Sequence, residues 1–202
     1  MTTTESSPGT ASDNRFRESL RREMIARREA MSAREHATRS SALRVRLDTA
    51  FPSLHELIIG FCWPVQGEAN LVPFIAELIA RGGRVALPVV VRPGAPLAFR
   101  EWWPEQPLAP DRYGIPSPTD GDFLRPQALL IPVNAFDETG YRIGYGGGFF
   151  DRTLATLSPR PLAIGVGFDF QNVASTRPQP HDLPLDAIVT ELRVLRPLAV
   201  PR

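Results

Sequence analysis

Ala128-Leu129-Leu130-Ile131-Pro132-Val133, the glycine-rich segment 140–148, a helical pattern over 149–157 and the run Leu162-Ala163-Ile164-Gly165-Val166-Gly167-Phe168 together decide the fold class. Both apolar runs are continuous rather than alternating, as in strands covered on both faces, and the helix between them is the crossover that parallel neighbours need. Upstream, Leu57-Ile58-Ile59-Gly60-Phe61-Cys62-Trp63 is a further buried strand stopped by Pro64, and 71–81 is an amphipathic helix closed by Gly82-Gly83. Arg84-Val85-Ala86-Leu87-Pro88 follows as another strand, and 97–102 alternates in polarity as an edge strand does. A proline-rich connection spans 104–118, and short strands close the chain near 187–189 and 193–195. Strands alternating with helices predict an α/β fold: a three-layer αβα sandwich, Rossmann-like, on a mainly parallel sheet, with ligands at the carboxyl ends of the strands.

Ahead of this unit, residues 13–50 hold ten Arg and no Pro or Gly. Phe16, Leu20, Met24 and Met31 form one helical stripe, which predicts two basic helices, 15–30 and 33–49. Ser32 is placed to cap the second, with Glu35 three residues on. Residues 1–12 read as a disordered tail and 13–202 as a single domain, since no linker or internal repeat divides them.

All 23 basic side chains are Arg, balanced by 22 acidic ones to a formal charge of +1. Global electrostatics therefore give no case for nucleic acid or an anionic membrane, and the lack of Lys excludes a Walker loop and Schiff-base chemistry. Cys62 is the only cysteine, which removes disulfide frameworks and fits a cytoplasmic compartment. Nothing in the sequence resembles a membrane span or a signal peptide.

The segment Arg142-Ile143-Gly144-Tyr145-Gly146-Gly147-Gly148-Phe149-Phe150-Asp151-Arg152 carries the chemistry. Glycines at a strand-to-helix joint let an anion approach main-chain N–H groups and the positive end of the helix. They also suit a joint that serves only packing; the flanking Arg142, Asp151 and Arg152 favour phosphate. Asp151 and Asp186 are candidate magnesium carboxylates, or else a helix-dipole partner and a turn residue. Trp63, Glu68 and Tyr113 could grip a flat heterocycle, or pack and cap. His181 reads as structural, His36 and His55 as surface residues, and Cys62 as a small core residue. Glu18, Glu23, Glu29 and Glu35 interrupt the arginine helices, which argues against RNA.

An ordered set of segments resembles the 5-formyltetrahydrofolate cyclo-ligase family: Arg17 to Arg21 with Met31-Ser32, Gly67-Glu68, Tyr113-Gly114-Ile115-Pro116, Asn134 through Arg152, and His181-Asp182-Leu183-Pro184-Leu185-Asp186. The resemblance implies ATP- and Mg2+-dependent cyclisation of 5-formyltetrahydrofolate to 5,10-methenyltetrahydrofolate through an iminium phosphate, by a monomer. It implies ATP contacts from Arg17, Arg21 and the run Arg142, Ile143, Gly144, Tyr145, Gly146, Gly147, Gly148, Phe149 and Phe150, with Arg142 and Tyr145 catalytic. Asp151 and Asp186 match its magnesium positions, and Trp63, Glu68 and Tyr113 its folate pocket. Two departures stand out: Phe149-Phe150 where family members commonly carry Tyr, and Tyr145 and Gly147 where some carry basic residues. An ATP-binding paralogue with another substrate and a folate-binding regulator without turnover are the alternatives.

Overall fold

The computed structural model describes residues 8–197. Its centre is an eight-stranded sheet in the order β12-β11-β10-β7-β1-β2-β3-β6. The five inner strands, β11 (Ala187–Val189), β10 (Leu162–Val166), β7 (Ala128–Pro132), β1 (Ile58–Phe61) and β2 (Arg84–Val89), run parallel. The flanking strands β12 (Val194–Leu195), β3 (Ala98–Glu101) and β6 (Phe123–Leu124) are antiparallel. β3 is thus not the edge that its alternation suggested. The two-residue β6 covers it, and a strand that short has no period to read.

Side chains of β7 alternate between two apolar clusters. Ala128 and Leu130 meet Leu43 and Leu47 of α2 (Ala33–Ala50) and Phe74, Ile75 and Leu78 of α3 (Val72–Ala80). Leu129 and Ile131 meet Leu154 of α4 (Phe149–Thr156) on the opposite face. Helices on both faces make the three layers and explain the continuous apolar runs. Gly60 of β1 permits the close approach on the α4 face, because a Cβ there would lie 2.5 Å from Leu129 Cδ2.

α1 (Pro8–Glu29) begins earlier than expected, so residues 8–12 of the anticipated tail are helical; residues 1–7 lie outside the described residues. Leu20 and Met24 of α1 pack on Ala135 and Ile143. Ser32 caps α2 as read, its Oγ accepting the Glu35 N–H at 3.1 Å. Two small hairpins escaped the sequence reading: β4 (Leu108–Pro110) with β5 (Pro116–Pro118), and β8 (Ala135–Phe136) with β9 (Arg142–Ile143).

Asp137 ties the β8–β9 turn. Its Oδ1 accepts from the Thr139 N–H and hydroxyl and the Tyr141 N–H, and its Oδ2 from the Thr176 N–H and hydroxyl. Burial alone would raise its pKa, but these donors hold it below the usual carboxylate range. A group depressed in the folded state stabilises above its unfolded pKa, and that stabilisation fades as pH falls through the lower folded value. Asp137→Asn is expected to cost about 2 kcal/mol at neutral pH, with the gap to wild type narrowing below about pH 4, measured by urea unfolding across pH.

Candidate active site

The loop 144–148 leaves β9 at the carboxyl side of the parallel strands and enters α4 through Gly148, whose φ of +63° puts it in the left-handed region. Among the described residues, no main-chain N–H from Gly144 to Asp151 meets an acceptor. Those N–H groups and the first turn of α4 are free donors of the kind an anion takes, a candidate anion cradle. Arg21 of α1 lies under it: its Nε donates to the Gly144 carbonyl at 2.6 Å, and a Cβ on Gly146 would be 3.1 Å from its Nη2. Burial, and after it the neighbouring charge of Arg17, lowers the Arg21 pKa. Arg152 sits over the Phe149 ring at 5.2 Å and donates to the Gly147 carbonyl.

The other predicted cations are already engaged. Arg17 donates to Asp182 Oδ2 at 2.5 Å and to the Arg177 carbonyl, docking α1 on the 177–182 segment. Arg142 is buried; its Nη1 donates to the Leu183 carbonyl at 2.8 Å and its Nη2 to Asp151 Oδ1 at 3.0 Å. That oxygen also accepts the Leu183 N–H at 3.1 Å. Arg142 thus holds Asp151 rather than extending into the loop.

Asp186 does not join this group. It precedes β11 at the amino end of the strand, where Arg160 Nη1 donates to both carboxylate oxygens at 2.7 and 2.6 Å and the Ala163 N–H to Oδ2 at 2.7 Å. The sequence offered two lone aspartates; the parallel register puts one at the loop and the other beside Arg160. Among the described residues no cluster of three or more acidic, His or Cys side chains could hold a metal alone. Asp151 Oδ2 is without a hydrogen bond among those residues, which suits a magnesium ion completed by phosphate oxygens and water.

Beside the loop opens a cavity of about 490 Å³. Trp63, Glu68 and Tyr113 all line it, together with Tyr145, Phe149 and Phe150. Trp63 stands edge-on to Trp102 at 5.7 Å, and Tyr113 edge-on to Phe149 at 5.9 Å. Tyr145 reaches away from the anion cradle: its phenol donates to Glu68 Oε1 at 2.6 Å. The Val65 N–H donates to Glu68 Oε2 at 3.0 Å. Burial raises the Glu68 pKa against the opposing pull of Tyr145, Val65 and the charge of Arg28. Cys62 lies in the same wall with its thiol pKa pushed up by burial.

Two participants escaped the sequence reading. Arg28 of α1 is 2% exposed and donates to the Tyr145 hydroxyl at 3.1 Å. In the sequence it is one arginine among ten on the basic helices. His36 is half-buried rather than a surface residue, its Nε2 2.8 Å from the Glu68 carbonyl and its ring edge-on to Phe168.

The comparisons point one way. The family model described as the 5-formyltetrahydrofolate cyclo-ligase family matches residues 13–191. The 5-formyltetrahydrofolate cyclo-ligase of Escherichia coli K12 is 32% identical over 175 residues, covering 83% of this chain and 96% of that protein. Its namesake from Mycolicibacterium smegmatis is 29% identical over 141 residues, covering 64% and 71%. The NMR structure of Aquifex aeolicus 5,10-methenyltetrahydrofolate synthetase superposes with a TM-score of 0.78 at 26% identity, over 93% of this chain and 95% of that one. A synthetase of the same name from Mycoplasma pneumoniae shares the fold, with a TM-score of 0.72 at 22% identity over 87% and 98%.

Proposed function

Because the chain belongs to the 5-formyltetrahydrofolate cyclo-ligase family, we propose that it catalyses the ATP- and magnesium-dependent closure of 5-formyltetrahydrofolate to 5,10-methenyltetrahydrofolate, releasing ADP and phosphate. Residues 13–202 act as one catalytic unit, a monomer in the cytoplasm; among the described residues no helix is long and apolar enough to cross a membrane. The observation that carries the reading is the juxtaposition of an anion cradle with a cavity whose walls are aromatic and whose floor is a single buried carboxylate.

In this reading the loop N–H groups and Arg21 take the nucleotide phosphates, Trp63 and Tyr113 flank the pterin, and Glu68 accepts from its N–H edge. Asp151, held by Arg142, would bind magnesium, which supplies charge neutralisation at the phosphates. The formyl oxygen attacks the γ-phosphate and ADP leaves; N10 then attacks the activated carbon and gives up its proton, and the carbon–oxygen bond breaks to release phosphate. The protein's share is to place the two ligands in line and to neutralise charge. No side-chain nucleophile is required. Phe149 and Phe150 supply apolar wall, so the phenol hydroxyls common in relatives are not needed for enclosure.

The test is the methenyl chromophore formed from purified protein, 5-formyltetrahydrofolate, ATP and magnesium, with ADP assayed in parallel and each component omitted in turn. Equal appearance of chromophore and ADP, requiring every component, is expected. Folded protein that binds ATP alone would move the assignment to a different substrate; folate binding without ADP would move it to a regulator.

A further inference from the structure

We propose that Arg28 is a positioning residue that acts through Tyr145 to hold Glu68 as an oriented, ionised carboxylate in the cavity. The functional consequence rests on reading that cavity as the folate pocket, whereas the geometry does not. Arg28 Nε donates to the Gln66 carbonyl at 3.1 Å, Nη1 to the Val133 carbonyl at 3.3 Å and Nη2 to the Tyr145 hydroxyl at 3.1 Å. All three acceptors are neutral. A guanidinium buried without a direct counter-ion is costly. The carboxylate that balances it is Glu68, one hydroxyl away.

The order of donors sets the direction of the chain. With a phenol lone pair taken by Arg28, the Tyr145 proton points to Glu68 Oε1, and Arg28 polarises that O–H. The same arginine anchors the turn that carries Glu68. Gln66 sits at a φ of +48°, and Gly67 packs so closely on Arg28 that a Cβ would fall 3.1 Å from the Arg28 carbonyl carbon. Helix α1, the 65–68 turn, the end of β7 and the phosphate loop therefore meet at one side chain.

The groups facing Glu68 are Arg28 from α1, Tyr145 from the loop, Cys62 after β1 and His36 from α2, the last against its main-chain oxygen. Asp111 and Tyr113 line the same cavity. Burial raises the Glu68 pKa while Arg28 and Tyr145 lower it, so removing either helper favours the neutral acid. A neutral Glu68 is a poorer acceptor for a ring N–H, and the loss is greatest at low pH.

The experiment follows the Glu68 side-chain carboxyl by carbon-13 NMR across pH, with the signal identified by its loss in Glu68→Gln. In Arg28→Met and in Tyr145→Phe the titration is expected about one pH unit above wild type, and Arg28→Lys should restore part of the difference. The acid limb of kcat/KM for the folate should shift in parallel, an approximately tenfold loss below the limb that shrinks toward alkaline pH. A wild-type Glu68 titration in these variants, with activity lowered evenly across pH, would overturn the proposal. If Arg28→Met does not fold, Tyr145→Phe and Arg28→Lys decide it by the same titration. If wild type makes no methenyl product while the titration still shifts, the cyclo-ligase reading fails and the positioning role stands.

Discussion

Asp151→Asn is expected to lower kcat about 100-fold, while Asp186→Asn stays within about threefold of wild type and loses stability instead. Asn at 151 keeps the volume and an oxygen that can accept from Arg142 Nη2 and the Leu183 N–H, so the change removes charge with little change of shape. What disappears is the negative oxygen left without a hydrogen bond among the described residues, the one suited to a hard cation. Asp186 has both oxygens on Arg160 and one also on the Ala163 N–H. Its removal uncouples the 158–163 connection from the start of β11 without touching the loop. Steady-state rates over a range of magnesium, with calorimetry of MgATP binding, check both variants. Equal losses in the two would show that the aspartates act together and sink their separation.

Arg21→Met is expected to reduce kcat/KM for ATP about 100-fold with the melting temperature within a few degrees of wild type. Among the described residues the only hydrogen bond of the Arg21 guanidinium is Nε to the Gly144 carbonyl, so folding depends little on it. Its Nη groups instead lie beneath Gly146, beside main-chain N–H groups that have no acceptor. Arg17→Met should act differently, because Arg17 is bound to Asp182: a loss of stability, with a smaller effect on ATP. Initial rates against ATP concentration and thermal melts separate the two. A similar ATP effect from Arg17→Met would mean that its ion pair opens to the nucleotide.

Periodicity and glycine placement were enough to read the parallel layers, because a strand covered on both faces must be apolar throughout, as Leu129 to Ile131 are. Local chemistry also reached the glycine joint into α4 and the Ser32 cap, since both depend on residues adjacent in the chain. β6 and the hairpins β4–β5 and β8–β9 stayed invisible, being strands of two or three residues whose pairing is decided by what they pack against.

The sequence by itself determined the layered α/β architecture, the family resemblance and the types of group available to the site. Only the tertiary structure decided their partners. Asp186 faces Arg160 through the register of β10 and β11, and Arg142 is turned onto Asp151. Tyr145, read as a residue of the phosphate loop, sends its hydroxyl to Glu68, and Arg28 is singled out from ten similar arginines by the helix face that it presents to Val133 and Gln66. Hydrogen bonds and ion pairs act over a few ångströms between residues that lie as many as 165 positions apart in the chain, as Arg17 and Asp182 do. Composition and spacing carry no record of such pairings; the packing of α1 and the loops against the sheet creates them.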